Sequence, residues 1–465
     1  MKKIVFGLLL IFPTLVWAQS GYRISGKFVG IKGGICNLVY QYGKQFPIAD
    51  TAKIDTDGNF VFDGDKPLEK GVYLIAFPTK AVEVLVDKEQ TFSIEVDTAR
   101  IVETFTATGS TETQLYYEHQ RAMKALNAGF GKRLTEKGLT MADFQKPEFQ
   151  TEWEQIQEDF SKYLKKFFRK NAGTLAVNMV KGYRDIDTPK LKKADGSIDS
   201  TAMYFYIKEH YFDNIELNDA RLLFTPVVQQ RVENFYKLMV YPAADSINKE
   251  TDILMAKIKE PKVRKFVLML LSKKYEIPPT LGHDGIYPHL LEKYYINEPS
   301  LWDTSTVRMA KKIVGIQKPI LMGNIVPDMV LQDTLNNSFS IHQIQAKYLV
   351  LFMYNPGCGH CKASAPVMLK FYEKHKDKGV VVVAASVFNE ETSWRGFVKE
   401  YKLWPFLNGR DMLGVVDFEK YNLLQFPMIY VLDKDKKIVA KYMQAEQLDN
   451  LIESFEQEAA DRAKK

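Results

Sequence analysis

One stretch constrains the fold of this chain more than any other. Tyr348 to Tyr354 is an unbroken run of apolar and aromatic residues. Four residues later comes a Cys-x-x-Cys, Cys358-Gly359-His360-Cys361, and from Lys362 to His375 the apolar positions recur at helical spacing. A buried strand that breaks into a Cys-x-x-Cys and opens a helix is a redox arrangement. A helix start presents unpaired N–H groups and a partial positive charge to the first sulfur. That favours thiolate, the nucleophilic form. The second cysteine, one turn on, can attack a mixed disulfide and release the partner.

The chain has only three cysteines in 465 residues, and the third is Cys36. A secreted structural framework would use an even number. The remaining alternatives for the pair are a permanent disulfide, a zinc site or haem attachment. A zinc site needs about four ligands and no second cysteine pair exists. Haem attachment needs a histidine directly after the second cysteine, where Lys362 stands. His283, Asp284 and His289 fit no metal-ligand spacing, so neither a metal nor a cofactor is expected. Cys36 alternates with Leu38 and Tyr40 and reads as a buried strand residue.

The start of the chain carries an address. Met1-Lys2-Lys3 is basic, Ile4 to Trp17 is apolar, and Val16-Trp17-Ala18 suits signal peptidase, so cleavage near Ala18 is expected. No cysteine lies near that point, as a lipoprotein signal would require. No other long apolar run follows, so the mature chain should have no transmembrane segment and should reside in an exported, oxidising space, the periplasm or cell envelope. The formal net charge is +6, and loss of Lys2 and Lys3 leaves +4. That small excess gives no basis for nucleic-acid binding.

The length calls for more than one core. After a leader over 1–18, residues 19–109 show short alternating strands with turn residues between them, an all-β sandwich. Asp57-Gly58, between Ile54 and Phe60-Val61-Phe62, is a hairpin signal. Residues 110–316 change to helical period, with Trp153, Ile156, Phe160, Leu164 and Phe167 as one apolar stripe. Residues 317–465 alternate strands and helices, with Val380 to Val387 a strand buried on both faces and Met428 to Tyr442 a strand–turn–strand. This is an α/β sandwich on a mixed sheet.

With the pair go Pro366, five residues after the second cysteine, and Phe426-Pro427 at the head of a late strand. Together these resemble thioredoxin-like thiol–disulfide oxidoreductases, in particular the exported TlpA/ResA type. Pro327 to Leu331 is similar to that group's entry strand, and the segment holding Trp394 and Trp404 to its central insertion. The resemblance covers the last third of the chain. The β and helical regions are similar to envelope domains that precede such modules. It implies that Cys358 is the nucleophile, Cys361 the resolving thiol and His360 a tuner of the Cys358 thiolate. It implies that Pro427 is cis, and that Phe426, Pro427 and Gly357 border the substrate groove. It implies disulfide-bearing envelope proteins as substrates and, for a reductase, a membrane electron donor. Thioredoxin carries Trp where Gly357 stands and a buried acid where Phe352 stands, so no proton acceptor for Cys361 is evident. Peroxiredoxins want Thr or Ser where Asn355 stands. A reductase is the expected activity; an oxidase or isomerase, or a docking module with incidental redox chemistry, is the alternative.

Overall fold

The computed structural model describes residues 21–77, 80–277, 282–387, 390–412, 419–423 and 425–464. The leader with its cleavage near Ala18, and the Pro278-Pro279 pair, lie outside the described residues. The chain forms two compact units. One runs through Met239 and includes Ile258–Val263; the other holds Val240–Lys257 and the chain from Arg264 onward.

The first unit begins with two four-stranded sheets. β1 (Tyr22–Val29), β4 (Asn59–Gly64), β7 (Thr91–Asp97) and β8 (Thr106–Thr108) form one in the order β4-β1-β7-β8. β2 (Gly34–Tyr40), β3 (Ile48–Ile54), β5 (Gly71–Phe77) and β6 (Lys80–Val86) form the other in the order β3-β2-β5-β6. Alternate residues of both sheets meet between them. Phe28 of β1 lies 4.6 Å from Phe60 and 4.6 Å from Phe77 of the opposite sheet. This is a β-sandwich core. Cys36 is fully buried in it, with its thiol donating to Ala52 O at 3.7 Å.

The hairpin expected across Asp57-Gly58 is not formed. The turn is there: Asp55 Oδ1 accepts from the N–H groups of Asp57 and Asn59, each at 2.8 Å, and Gly58 has a φ of +86°. But β3 pairs with β2 while β4 pairs with β1. The turn carries the chain from one sheet to the other, so that Ile54 and Phe60 both enter the core. Turn residues specify a reversal; they do not specify which strand supplies the ladder.

A short helix α1 (Ile101–Thr104) precedes α2 (Thr111–Glu136). α3 (Pro147–Lys170), α4 (Leu175–Gly182), α5 (Ser200–His210) and α6 (Val227–Leu238) complete the first unit. Buried polar contacts fix these helices. Glu112 of α2 accepts from the N–H groups of Leu175 and Ala176, each at 2.9 Å, satisfying the start of α4. Arg221 spans Asp219 at 2.7 Å and Asp87 at 2.9 Å.

The second unit opens with α7 (Ala244–Lys257), most of α8 (Pro261–Tyr275), α9 (Ile286–Leu290), a π-helical turn (Leu291–Ile296) and α10 (Thr304–Gln317). The helical segment of the sequence therefore contributes to both units. A seven-stranded mixed sheet follows: β9 (Val330–Gln332), β10 (Ser338–Ser340), β11 (Tyr348–Tyr354), β12 (Val380–Ser386), β13 (Leu407–Asp411), β14 (Met428–Asp433) and β15 (Ile438–Lys441). Its order is β10-β9-β13-β12-β11-β14-β15, with β11–β12 and β12–β13 parallel and the other pairs antiparallel.

β11 is buried at every residue. Val350, Phe352 and Tyr354 face a core shared with α11 (Gly359–His375), α12 (Glu391–Glu400) and α13 (Leu448–Ala463). Leu349, Leu351 and Met353 face the opposite core, built from Ile320, Val326, Met329 and Leu331. Asp284 and Lys441 make a buried ion pair at 2.8 Å; Asp284 also accepts from Met322 N at 2.8 Å, and Lys441 donates to Ile320 O.

Candidate active site

The central strand β11 delivers the dithiol. After Tyr354 the chain turns: Asn355 Oδ1 accepts from Gly357 N at 2.8 Å and Asn355 O from Cys358 N at 3.0 Å. Cys358 is then the residue that caps α11, in extended conformation with φ −80° and ψ 126°. Pro366 lies within α11 and is exposed.

The two sulfurs differ. Both cysteines are free, Cys358 half-buried and Cys361 fully buried. Burial works to raise the Cys358 thiol. The N–H of Cys361, the Cys361 thiol and the N–H of His360 outweigh it, and the group sits below its ordinary value. Burial pushes the Cys361 thiol up to about 12; contact with the Cys358 sulfur adds to this, and Asn355 partly offsets it. The two thiols therefore differ in acidity, Cys358 the more readily ionised and Cys361 the more readily kept as a thiol.

The strand end opposite the pair completes the site. The Phe426–Pro427 peptide is cis, and Phe426 O accepts from the Cys358 thiol at 3.6 Å. The structure thus brings Cys358, Cys361, Phe426 and Pro427 together. Phe426 and Pro427 are half-buried, and Phe426 packs against the core that contains Cys361. Gly357 is exposed beside Cys358. His360 is also exposed. Among the described residues its imidazole has no hydrogen-bond partner, and it meets the Cys358 sulfur only through its backbone N–H.

Two further residues belong here to which the sequence assigned no role at the dithiol. Tyr354 Oη and Trp394 Nε1 are both buried, and neither closes a hydrogen bond. Burial first, then the charge of a Cys361 thiolate, push the Tyr354 phenol far above its ordinary value; Trp394 eases this. Tyr354 is thus a neutral donor beside Cys361. Phe352, where thioredoxin has its acid, is fully buried and stacks on Tyr354 at 5.3 Å. Tyr354 reads in sequence as one more apolar strand residue, and only its place four positions before Cys358 could have drawn notice. Trp394 is fully buried whereas Trp404 is 61% exposed.

The sequence-flagged His283, Asp284 and His289 do not converge. His283 meets Pro242 O at 3.0 Å, Asp284 pairs with Lys441, and His289 meets Asp252 at 3.0 Å.

Residues 322–454 match the AhpC/TSA family, residues 198–319 a domain of unknown function (DUF5106) and residues 22–116 another (DUF4369). The thiol-disulfide oxidoreductase ResA of Bacillus cereus is 27% identical over 137 residues, covering 29% of this chain and 76% of that protein. A solved domain of a possible thiol-disulfide isomerase from Cytophaga hutchinsonii is 33% identical, covering 31% of this chain and 98% of that one, with a TM-score of 0.29. A thioredoxin-like protein from Bacteroides caccae is 18% identical, covering 58% of this chain and 98% of that one, with a TM-score of 0.48.

A mixed sheet whose central strand ends in a dithiol, matched in sequence by named oxidoreductases, defines the class: this is a thioredoxin-like thiol–disulfide oxidoreductase. Within that class the last third of the chain is similar to the ResA oxidoreductases, and a strand-rich and a helical region precede that redox fold. Its substrates are accordingly proteins that carry disulfides.

Proposed function

We propose that the protein reduces disulfides of exported envelope proteins through Cys358 and Cys361, the redox module beginning near residue 317. The observation that supports this best is the contrast between the two sulfurs. The Cys358 thiolate attacks one sulfur of the substrate disulfide, breaking that bond and releasing one substrate thiolate. Cys361 then passes its proton to the released substrate thiolate and attacks Cys358 Sγ, which closes the Cys358–Cys361 disulfide and frees the second substrate thiolate. Two electrons pass to the substrate, and an external dithiol donor, in this reading a membrane protein, restores the pair. Tyr354 donates to the Cys361 thiolate as it forms, in a site without a buried acid. Gly357, Phe426 and Pro427 border the groove in which an extended substrate segment lies.

The direction rests on the nucleophile. Strong oxidants hold their reduced form by a deeply lowered thiol. At Cys358 burial opposes the helix N–H groups that lower the thiol, and so works against a deep lowering. His360 adds no side-chain hydrogen bond to either sulfur among the described residues, so its tuning is confined to its N–H.

The test is the reduction potential of the pair in Cys36→Ser protein, by equilibration with glutathione. A value near that of thioredoxin, about −270 mV, is expected; one in the isomerase-to-oxidase range of about −180 to −120 mV reverses the electron flow. Substrate binding that survives Cys358→Ser, with no disulfide turnover by the wild type, would point instead to a docking module. Export rests on the basic and apolar leader, and among the described residues no helix is long and apolar enough to cross a membrane. N-terminal sequencing of protein recovered from the envelope should begin at Gln19.

A further inference from the structure

A second site lies far along the chain from the dithiol, within the first unit. The strand pair β5–β6 has two faces. Val82 and Val84 point into the sandwich and are buried. Glu83 and its cross-strand partner Leu74 point the other way, toward the helices. There the sheet and the helices do not close on each other. A cavity of about 460 Å³ remains, floored by Val72, Leu74 and Glu83 and walled by Met123 of α2, Leu164 of α3 and Met179 and Val180 of α4. That volume falls in the range of small-molecule sites, about 300–1,000 Å³.

Its charged lining residues are Glu83 and Arg184, beside neutral polar groups such as Gln41 and Gln120. Glu83 accepts from the Tyr116 hydroxyl, and among the described residues it has no ion-pair partner. Burial lifts its carboxyl above the ordinary value. The cavity's own cationic candidates are engaged or neutral. Arg184 is committed to Asp187 at 3.3 Å and lies over the Phe168 ring. His119 meets the Tyr163 hydroxyl at 3.3 Å, and burial lowers its imidazole, keeping it uncharged at neutral pH. Tyr116 and Tyr183 line the same space as Glu83, and the Glu83 charge acts on the Tyr183 phenol. A carboxylate without a counter-ion in an apolar recess is unfavourable until a cation arrives. Aromatic faces beside it favour the same charge.

We infer that this cavity binds an organic ammonium ion with an apolar body, the ammonium group on Glu83 between Tyr116 and Tyr183 and the body along Leu74, Met123, Leu164 and Met179. An anion is disfavoured by Glu83. A neutral alcohol would keep the apolar contacts but leave the carboxylate without a charge partner.

Titration calorimetry of the full chain with hexylamine, hexanol and hexanoate tests this at constant salt. Saturable one-site binding of hexylamine is expected, with hexanol at least about tenfold weaker and hexanoate undetectable. Glu83→Gln should lower hexylamine affinity to that of hexanol and leave hexanol binding and disulfide reduction unchanged. Val180→Phe, which fills the space from an apolar wall, should abolish binding of both. Equal affinity of the wild type for hexylamine and hexanol, or no saturable hexylamine binding, overturns the proposal without recourse to any variant.

Discussion

Alkylation of the dithiol puts the asymmetry of the two sulfurs to a quantitative test. Iodoacetamide reacts with thiolate, so the rate at each cysteine follows its thiolate fraction and the nucleophilicity of that thiolate. Cys358 lies below the ordinary thiol value of 9.0, and Cys361 lies at about 12. At neutral pH the thiolate populations therefore differ by at least about a thousandfold, a factor of ten for each unit. The more basic Cys361 thiolate is intrinsically the better nucleophile. With a Brønsted slope of about 0.45, three units return roughly 20-fold. Protonation alone then leaves Cys358 faster by about 50-fold, and the full burial of Cys361 widens the gap.

The assay is the initial rate of carbamidomethylation of reduced Cys36→Ser protein across pH 6 to 9. Both cysteines fall in the tryptic peptide Tyr348–Lys362, and fragment ions separate them. Because the Cys358 group is lowered, its rate should rise with pH through an inflection below pH 9. The Cys361 rate should still be climbing there. Part of the Cys361 shift comes from its neighbour's sulfur, so Cys358→Ser should speed Cys361 while leaving it slower than an ordinary thiol, since burial is the largest cause. Rates within tenfold of each other at neutral pH, or a Cys358 inflection at or above 9, would refute the reasoning.

Three further outcomes follow from the second unit. Asp284→Ala leaves Lys441 charged, buried and without its partner, and should cost about 3–5 kcal/mol, more than the double replacement with Lys441→Met. Denaturant unfolding followed by tryptophan fluorescence reads it, because Trp302, Trp394 and Trp404 all lie in that unit; a loss below about 1 kcal/mol would show that the pair is hydrated. Tyr354→Phe removes a hydroxyl that closes no hydrogen bond in the dithiol form, so it should leave stability within about 1 kcal/mol while lengthening the life of the mixed disulfide in a stopped-flow assay; an unchanged lifetime removes Tyr354 from the resolving step. Phe426→Ala should change the ranking of disulfide substrates more than the potential of the pair, and an equal loss toward all substrates argues against a groove at that position.

Features that depend on a few neighbouring residues were legible in the chain. The run Tyr348 to Tyr354 is buried on both faces because it is the central strand, and a strand so placed must be apolar throughout. Cys358 at the start of α11 and the Asp55 turn are likewise local chemistry. What could not be read was partnership. The Asp57-Gly58 signal announced a reversal, yet β3 and β4 separate into different sheets, with Ile54 and Phe60 both buried in the core. Helical period marked residues 110–316 as helices but not which unit each joins, because an amphipathic face states that it needs cover and not whose.

Glu83 carries the same lesson in a form that bears on function. In Lys80-Ala81-Val82-Glu83-Val84 the alternation assigns Glu83 to the side away from the sandwich, and so it is. In sequence that side means water. In the fold it means the cover of α2 and α4, brought there by contacts such as Glu112 with Leu175 and Ala176 across more than sixty residues. Alternation alone distinguishes two faces of a strand; only the long-range packing decides whether the polar face is solvent or the floor of a cavity. An acid that alternation would place at the surface thereby becomes a charge in a largely apolar recess without an ion-pair partner among the described residues, and such a charge favours a cationic ligand.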